Sequence, residues 1–325
     1  RGRGDVYKRQ MYEKWKGVHT RCAFNMIQEL IPLTRPRTLA AALGPTILGA
    51  AFSYYAFGAA QGTGLAILHT VLIFLAVVTA QIVANLWNEY KDFKSGLDAG
   101  QKVGNAGSIT RGVITPELII TMIKVLMFVP IIIGLYLSAT ITWYYIPVGF
   151  LCILISFLYS GGPKPISRTP FGEISSGIAM GFAIVLITGY AWIRELSLAL
   201  LIPAIPSTLL VGSIMLTNNI RDIRNDESHG RHTLPIVLGR ERALSLMSIS
   251  YIFNFIWIIA WIIVGHMTWF ALLAFLAAPL AFKTIHTLST NTDEFQLDKA
   301  MGTTAGAAMI YQLMWAIGLI MGKLF

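Results

Sequence analysis

Long apolar runs, broken at short intervals by clusters of polar and charged residues, make up most of the chain. Nine of them are candidates to cross a bilayer, at residues 37–59, 64–88, 116–138, 140–160, 171–193, 197–219, 241–265, 268–288 and 304–325. A spanning helix needs about 20 mainly apolar residues. The pattern predicts an all-α, polytopic membrane protein of nine transmembrane helices. The polar breaks alternate in charge. Segment 89–115 carries Lys91, Lys94, Lys102 and Arg111, and segment 161–170 carries Lys164 and Arg168. Segment 220–242 carries Arg221, Arg224, Arg231, Arg240 and Arg242, and segment 283–303 carries Lys283 and Lys299. The loops between them hold Arg194 and His266 as their only basic residues. An excess of Lys and Arg marks cytoplasmic loops. The N-terminus and all four basic segments are therefore expected in the cytoplasm, the C-terminus on the far side, and the protein in the cell (inner) membrane. Tyr54, Tyr55, Trp143, Tyr144, Tyr145, Trp192 and Trp269 read as an aromatic belt at the far interface.

Composition agrees with a lipid environment. Hydrophobic residues make up 55% and charged residues 13% of the chain, with a mean hydropathy of +0.64; soluble domains average about 25% charged. The net charge of +9 is spread over separate loops and forms no single basic patch, which argues against a nucleic-acid partner. No obligate protein partner is evident. Cys22 and Cys152 are far apart and read as inert thiols. No cleavable signal is expected, because the first apolar run is long enough to stay in the membrane. Residues 1–10 look unlike the rest and read as a non-native remnant. Residues 11–36 then form a cytoplasmic N-terminal segment, and 37–325 the membrane domain.

Two of the apolar runs end in acidic motifs led by asparagine. The first reads Asn88-Glu-Tyr-Lys-Asp92-Phe-Lys-Ser-Gly96-Leu-Asp98; the second reads Asn218-Asn219-Ile-Arg221-Asp222-Ile-Arg-Asn-Asp226. The Asn–Asp spacing of four recurs, and each motif closes the second helix of a four-helix set, helices 1–4 and 5–8. This weak repeat predicts two halves around a central cavity, with a ninth helix added. Residues four apart share a helix face, so Asn88 pairs with Asp92 and Asp222 with Asp226. Gly96 is placed to end or bend its helix and let Asp98 fold back.

If the halves face each other, four carboxylates and two amides converge at the cytoplasmic mouth. Such a cluster repels itself unless a metal is present, and neighbouring Lys and Arg alone are not expected to neutralise it. Magnesium takes a few carboxylates and fills its shell with water and phosphate oxygens. Lys102, Arg111, Arg221, Arg224 and Arg231 suit a diphosphate. Together these parts make a device for ionising a diphosphate ester above an apolar cavity that holds a lipid tail. The bland alternative is a solvated interface with loose ion pairs; two Asn-led clusters at matched positions on one face argue against it. A cation-coupled transporter would place its charges near the bilayer midplane on broken helices, not at helix ends on one face.

Asn-x-x-x-Asp-x-x-x-Gly-x-Asp, Asn-Asn-x-Arg-Asp-x-x-x-Asp and Gly230-Arg231-His232-Thr233-Leu234 resemble the UbiA superfamily of intramembrane prenyltransferases. So do Arg35-Pro36-Arg37-Thr38-Leu39, Tyr159-Ser-Gly-Gly-Pro163-x-Pro165 and Gly172-Glu173. The likeness covers roughly residues 30–325. Gly96-x-Asp98 and the Asn-Asn-x-Arg-Asp run resemble its menaquinone branch, which uses 1,4-dihydroxy-2-naphthoate. The resemblance implies that Asn88, Asp92, Asp98, Asn218, Asp222 and Asp226 hold two Mg²⁺ on a polyprenyl diphosphate. Lys102, Arg111, Arg221 and Arg35 would help hold the phosphates, and Tyr159 would shield an allylic cation that an electron-rich aromatic acceptor attacks. A 4-hydroxybenzoate, homogentisate or chlorin acceptor remains open. His232 stands where the family often has Lys or Arg.

Other residues have plainer readings. Lys124 is expected to snorkel. His69 is expected to be hydrogen-bonded or interfacial, and no zinc-type companion set surrounds His229 or His232. Glu173 serves equally as a favourable charge at a helix N-terminus or as a functional group. Tyr159 reads otherwise as an interfacial anchor.

Overall fold

The computed structural model describes residues 30–96 and 107–325. Residues 1–10, Cys22, Asp98 and Lys102, which carry sequence-based expectations, lie outside them. The predicted apolar runs are helical. Helix α1 spans Ala40–Phe57, α2 Thr63–Ser95, α3 Pro116–Thr140 and α4 Tyr145–Ser160. Helix α5 spans Gly172–Ile193 and α6 Leu201–Arg221, followed by the short α7 (Ile223–Ser228) and α8 (Leu234–Leu238). Helices α9 (Arg240–Ile263), α10 (Trp269–Thr290) and α11 (Glu294–Leu324) complete the chain. Among the described residues, seven helices are long and apolar enough to cross a membrane; α4 is apolar but shorter.

Two helices outrun their predicted limits, and both extensions bear on the site. Helix α2 has 33 residues, about 50 Å at 1.5 Å per residue, against a hydrocarbon core of roughly 30 Å. It is thus longer than the layer is thick by several turns, and its last turns carry Asn88 and Asp92. It stops where expected: Gly96 adopts φ 77°, ψ 8°, and its N–H closes on the carbonyls of Asp92 and Phe93, as a left-handed terminal residue does. Helix α11 starts ten residues before the apolar run, because Asp293 caps it by accepting from the Gln296 N–H at 3.2 Å. The added turns bring Asp298 to the mouth.

Packing does not divide helices 1–4 from 5–8. The larger core joins α1 (Leu48, Phe52) to α6, α9, α10 and α11, around Met247, Tyr311 and Trp315. A smaller core joins α2 and α3 through Val83, Leu86, Ile119 and Ile123. Close approach of α5 to α6 depends on Gly177 and Gly181, one turn apart. A Cβ at either would meet the Thr208 or Ser207 carbonyl oxygen at 2.5 Å. Small residues at this spacing let helices touch backbone to backbone, and the contact sets Glu173 against Asn219.

Several expectations need correction. Tyr145 and Trp192 are buried within the protein rather than exposed on its surface. Tyr145 donates to the Ile187 carbonyl at 2.8 Å, and Trp192 donates to Thr70 Oγ1 at 2.8 Å. Trp143, Tyr144 and Trp269 are exposed, as a belt requires. His69 is not hydrogen-bonded among the described residues: it is fully buried, and neither ring nitrogen has a partner there. Its ring lies 6.2 Å from that of Tyr136. Lys124 is exposed on α3.

Candidate active site

The first acidic motif occupies the last turns of α2. Asn88 and Asp92 share one face because the helix continues through both. With both ends of its amide satisfied, Asn88 donates to Ser160 Oγ (3.0 Å) and Asp92 Oδ2 (3.2 Å). Its oxygen accepts from the Arg35 guanidinium at 3.1 and 3.2 Å. Asp92 is 8% exposed and accepts from Arg231 Nη2 at 2.8 Å. The same guanidinium places Nη1 3.4 Å from Asp226 Oδ1. One arginine thus joins carboxylates of both motifs.

The second motif is held by its own neighbour. Helix α6 ends at Arg221 and α7 starts at Ile223, so Asp222 sits at a break with φ −95° and ψ 7°. The expected single helix through Asp222 and Asp226 is interrupted there. Asp226 nonetheless keeps its N–H on the Asp222 carbonyl at 2.9 Å, so the two stay one turn apart. Arg221 grips Asp222 through Nε and Nη2, each at 2.7 Å. It also donates to Asn218 Oδ1 and Asp298 Oδ1, both at 2.9 Å. Forked guanidinium–carboxylate pairs of this kind fix geometry as well as charge.

Asp226 is 2% exposed. Burial pushes its carboxyl up to about 7; Arg231 pulls the other way, while Asp222 and Asp92 push it further up. Carboxylates of both motifs therefore sense one another. Arg231 and Arg221 pair with Asp92, Asp222 and Asp226 of the cluster, and the Asp226 carboxyl stays raised despite them.

A cavity of about 220 Å³ opens below this mouth. Arg35, Asn88, Tyr159, Asn218 and Arg231 line its polar end, and Val77, Cys152 and Ile187 are among its apolar lining. Arg111 donates to Ser108 Oγ at 3.2 Å, beside the point where the chain returns to α2. Glu173 lies 4% exposed, and its Oε1 accepts from Asn219 Nδ2 at 2.8 Å, so it braces α5 against α6. His229 and His232 are exposed, and His232 donates its backbone N–H to the Arg168 carbonyl at 3.0 Å.

Sequence reasoning missed Asp298, Ser160 and Glu89, and read Arg231 only as a phosphate cation. Glu89 is 2% exposed and its Oε1 accepts from the Ser108 N–H at 2.6 Å, anchoring the segment after the first motif. The one available signal was that Glu89 and Asp298 are carboxylates beside strongly apolar helices.

Among the described residues, no group of three or more His, Cys, Asp and Glu side chains could hold a metal unaided. The donors are oxygens in small sets: Asp92 with Asp226, and Asp222 with Asn218. That chemistry fits Mg²⁺, which binds through one or two carboxylates and takes the rest of its shell from water and substrate phosphates.

A model of the UbiA prenyltransferase family matches residues 42–316. The 1,4-dihydroxy-2-naphthoate octaprenyltransferase of Bacillus subtilis (strain 168) is 34% identical over 300 residues, covering 91% of this chain and 93% of that one. The enzyme of the same name from Mycobacterium tuberculosis is 29% identical, covering 89% and 96%. Among solved structures, a UbiA homolog from Aeropyrum pernix K1 aligns with TM-score 0.65 at 17% identity, over 87% of this chain and 97% of that one. One from Archaeoglobus fulgidus bound to DMAPP and Mg²⁺ aligns with TM-score 0.58 at 16% identity, over 89% and 99%.

Proposed function

The chain belongs to the UbiA prenyltransferase family, and from that premise we propose that it transfers a polyprenyl group from polyprenyl diphosphate to 1,4-dihydroxy-2-naphthoate. Diphosphate, carbon dioxide and a proton leave, and the product is a demethylmenaquinone precursor. The observation that carries this reading is the Arg231 bridge between Asp92 and Asp226. It draws both acidic motifs to the mouth of one cavity that is polar above and apolar below. The relatives named for this acceptor support the choice of naphthoate.

In this reading Asn88, Asp92, Asp98, Asn218, Asp222 and Asp226 hold Mg²⁺, and the metal supplies electrostatic stabilisation of the departing diphosphate. Arg35, Lys102, Arg111 and Arg221 contribute positive charge for the phosphates. Arg231, already between the motifs, is the further cation nearest them. The cavity wall excludes water from the allylic cation left when the carbon–oxygen bond breaks, and Tyr159 presents its ring to it. The helices α1 and α4 cross the membrane together with the seven longer ones, nine in all. The acidic mouth faces the cytoplasm, as the Lys and Arg of the adjoining loops require.

The test offers purified protein, Mg²⁺ and a polyprenyl diphosphate either 1,4-dihydroxy-2-naphthoate or 4-hydroxybenzoate, with products followed by mass spectrometry. A decarboxylated prenyl-naphthoquinol from the first acceptor alone is expected. Product from 4-hydroxybenzoate alone would contradict the acceptor assignment.

A further inference from the structure

The cavity carries polar groups besides those assigned above to the metal and the diphosphate. Gln81, Asn85 and Asn88 line the cavity from one face of α2, at the spacing of successive helical turns. Asn88 belongs to the acidic motif. The other two reach towards the start of α1. Gln81 Nε2 donates to the Thr38 carbonyl at 2.6 Å, and Asn85 Nδ2 donates to the Thr34 carbonyl at 3.0 Å. A carbonyl can only accept, so it holds the NH₂ end of each amide and leaves the oxygen for the cavity. Asn219 lines the cavity from α6 and is held in the same way by the Glu173 carboxylate.

The Gln81 oxygen is the informative atom. Gln81 is 7% exposed, and its Oε1 is buried with no partner among the described residues. Buried acceptors are nearly always satisfied, so an orphan on a residue that lines a cavity marks the place of a ligand donor. A polyprenyl tail has no such donor. A hydroxylated ring does.

We infer that the amide oxygens of Gln81, Asn85 and Asn219 read the hydroxyl groups of the aromatic acceptor, with Glu173 positioning Asn219. This rests on the prenyl-transfer reading above and names the part of the site that selects its second substrate. Gln81 and Asn85 are four residues apart, about 6 Å along the helix axis, comparable to the separation of the two oxygens of a para-dihydroxy ring. The site therefore prefers a ring with two hydroxyls to one with a single hydroxyl. A cavity built to hydrogen-bond a substrate hydroxyl rejects analogues that lack it, because its own polar atom is then left unpaired.

The experiment compares kcat/KM for 1,4-dihydroxy-2-naphthoate and for 1-hydroxy-2-naphthoate, with one prenyl diphosphate, in wild type, Gln81→Met and Asn219→Ala. The ratio of the two values is taken within each preparation, so a misfolded fraction cancels. Differences in the intrinsic reactivity of the two rings cancel between variants. The ratio is expected to fall by about tenfold or more in at least one variant, as for loss of one selective hydrogen bond. A ratio within about twofold of wild type in both variants, with normal wild-type turnover, overturns the assignment alone. Absence of any naphthoate product from wild type overturns the acceptor reading and this assignment together.

Discussion

The two acidic motifs share a spacing but not a support. The second is closed largely by its own neighbour: Arg221, in the adjacent position, clamps Asp222 and Asn218, while Asp298 and Glu173 come from other helices. The first depends on distant chain. Arg35 precedes α1, and Arg231 follows α7, 139 residues from Asp92. A repeat in sequence has therefore been completed by different means in the two halves. The first motif gains its arginine partners only when the segment before α1 and the segment after α7 are in place. The second carries much of its charge compensation with it.

Removing a carboxylate from either motif should have the largest effect if both serve one site. Asp92→Ala and Asp222→Ala are each expected to cost about 100-fold or more in turnover, the scale of a lost electrostatic contact to developing charge. Each variant should keep its helical circular dichroism. An excess of EDTA should abolish wild-type activity, and added Mg²⁺ should restore it. Full activity in EDTA would contradict the oxygen-ligand reading. The arginines sharpen the contrast further. Arg231→Gln should raise KM for the prenyl diphosphate more than Arg221→Gln, because Arg231 contacts carboxylates of both motifs and Arg221 contacts only the second among the described residues. An equal effect of the two would erase the distinction. The smallest effect is expected for Glu89→Gln, which keeps an acceptor for the Ser108 N–H but loses the charge. Steady-state kinetics should show a loss of a few-fold at most, confined to the first motif's function.

Helix positions were legible because apolar runs of this length have few other solutions. The stop at Gly96 was legible because a left-handed residue there has a simple chemical cause. The face shared by Asn88 and Asp92 followed from helix geometry alone. The Arg231–Asp92 pair was not legible, since nothing local relates two residues on separate helices and loops. The break at Asp222 was hidden for a different reason: the arginine clamp that stabilises it includes Asp298, from α11. The same holds for Tyr145 and Trp192. Their amphipathic rings suit an interface, but each finds a buried hydrogen-bond partner on a neighbouring helix. Gln81 reads in sequence as one polar residue in an apolar run, and only the cavity gives its oxygen meaning.

The central claim is that two motifs make one diphosphate site. Calorimetric titration of a non-reactive prenyl thiodiphosphate, with Mg²⁺ present, into wild type, Asp92→Ala, Asp222→Ala and the double variant tests it most directly. One ligand per wild-type chain, loss of binding in either single variant and no further loss in the double variant is the predicted result. Two ligands per wild-type chain, with one surviving in each single variant, would contradict it.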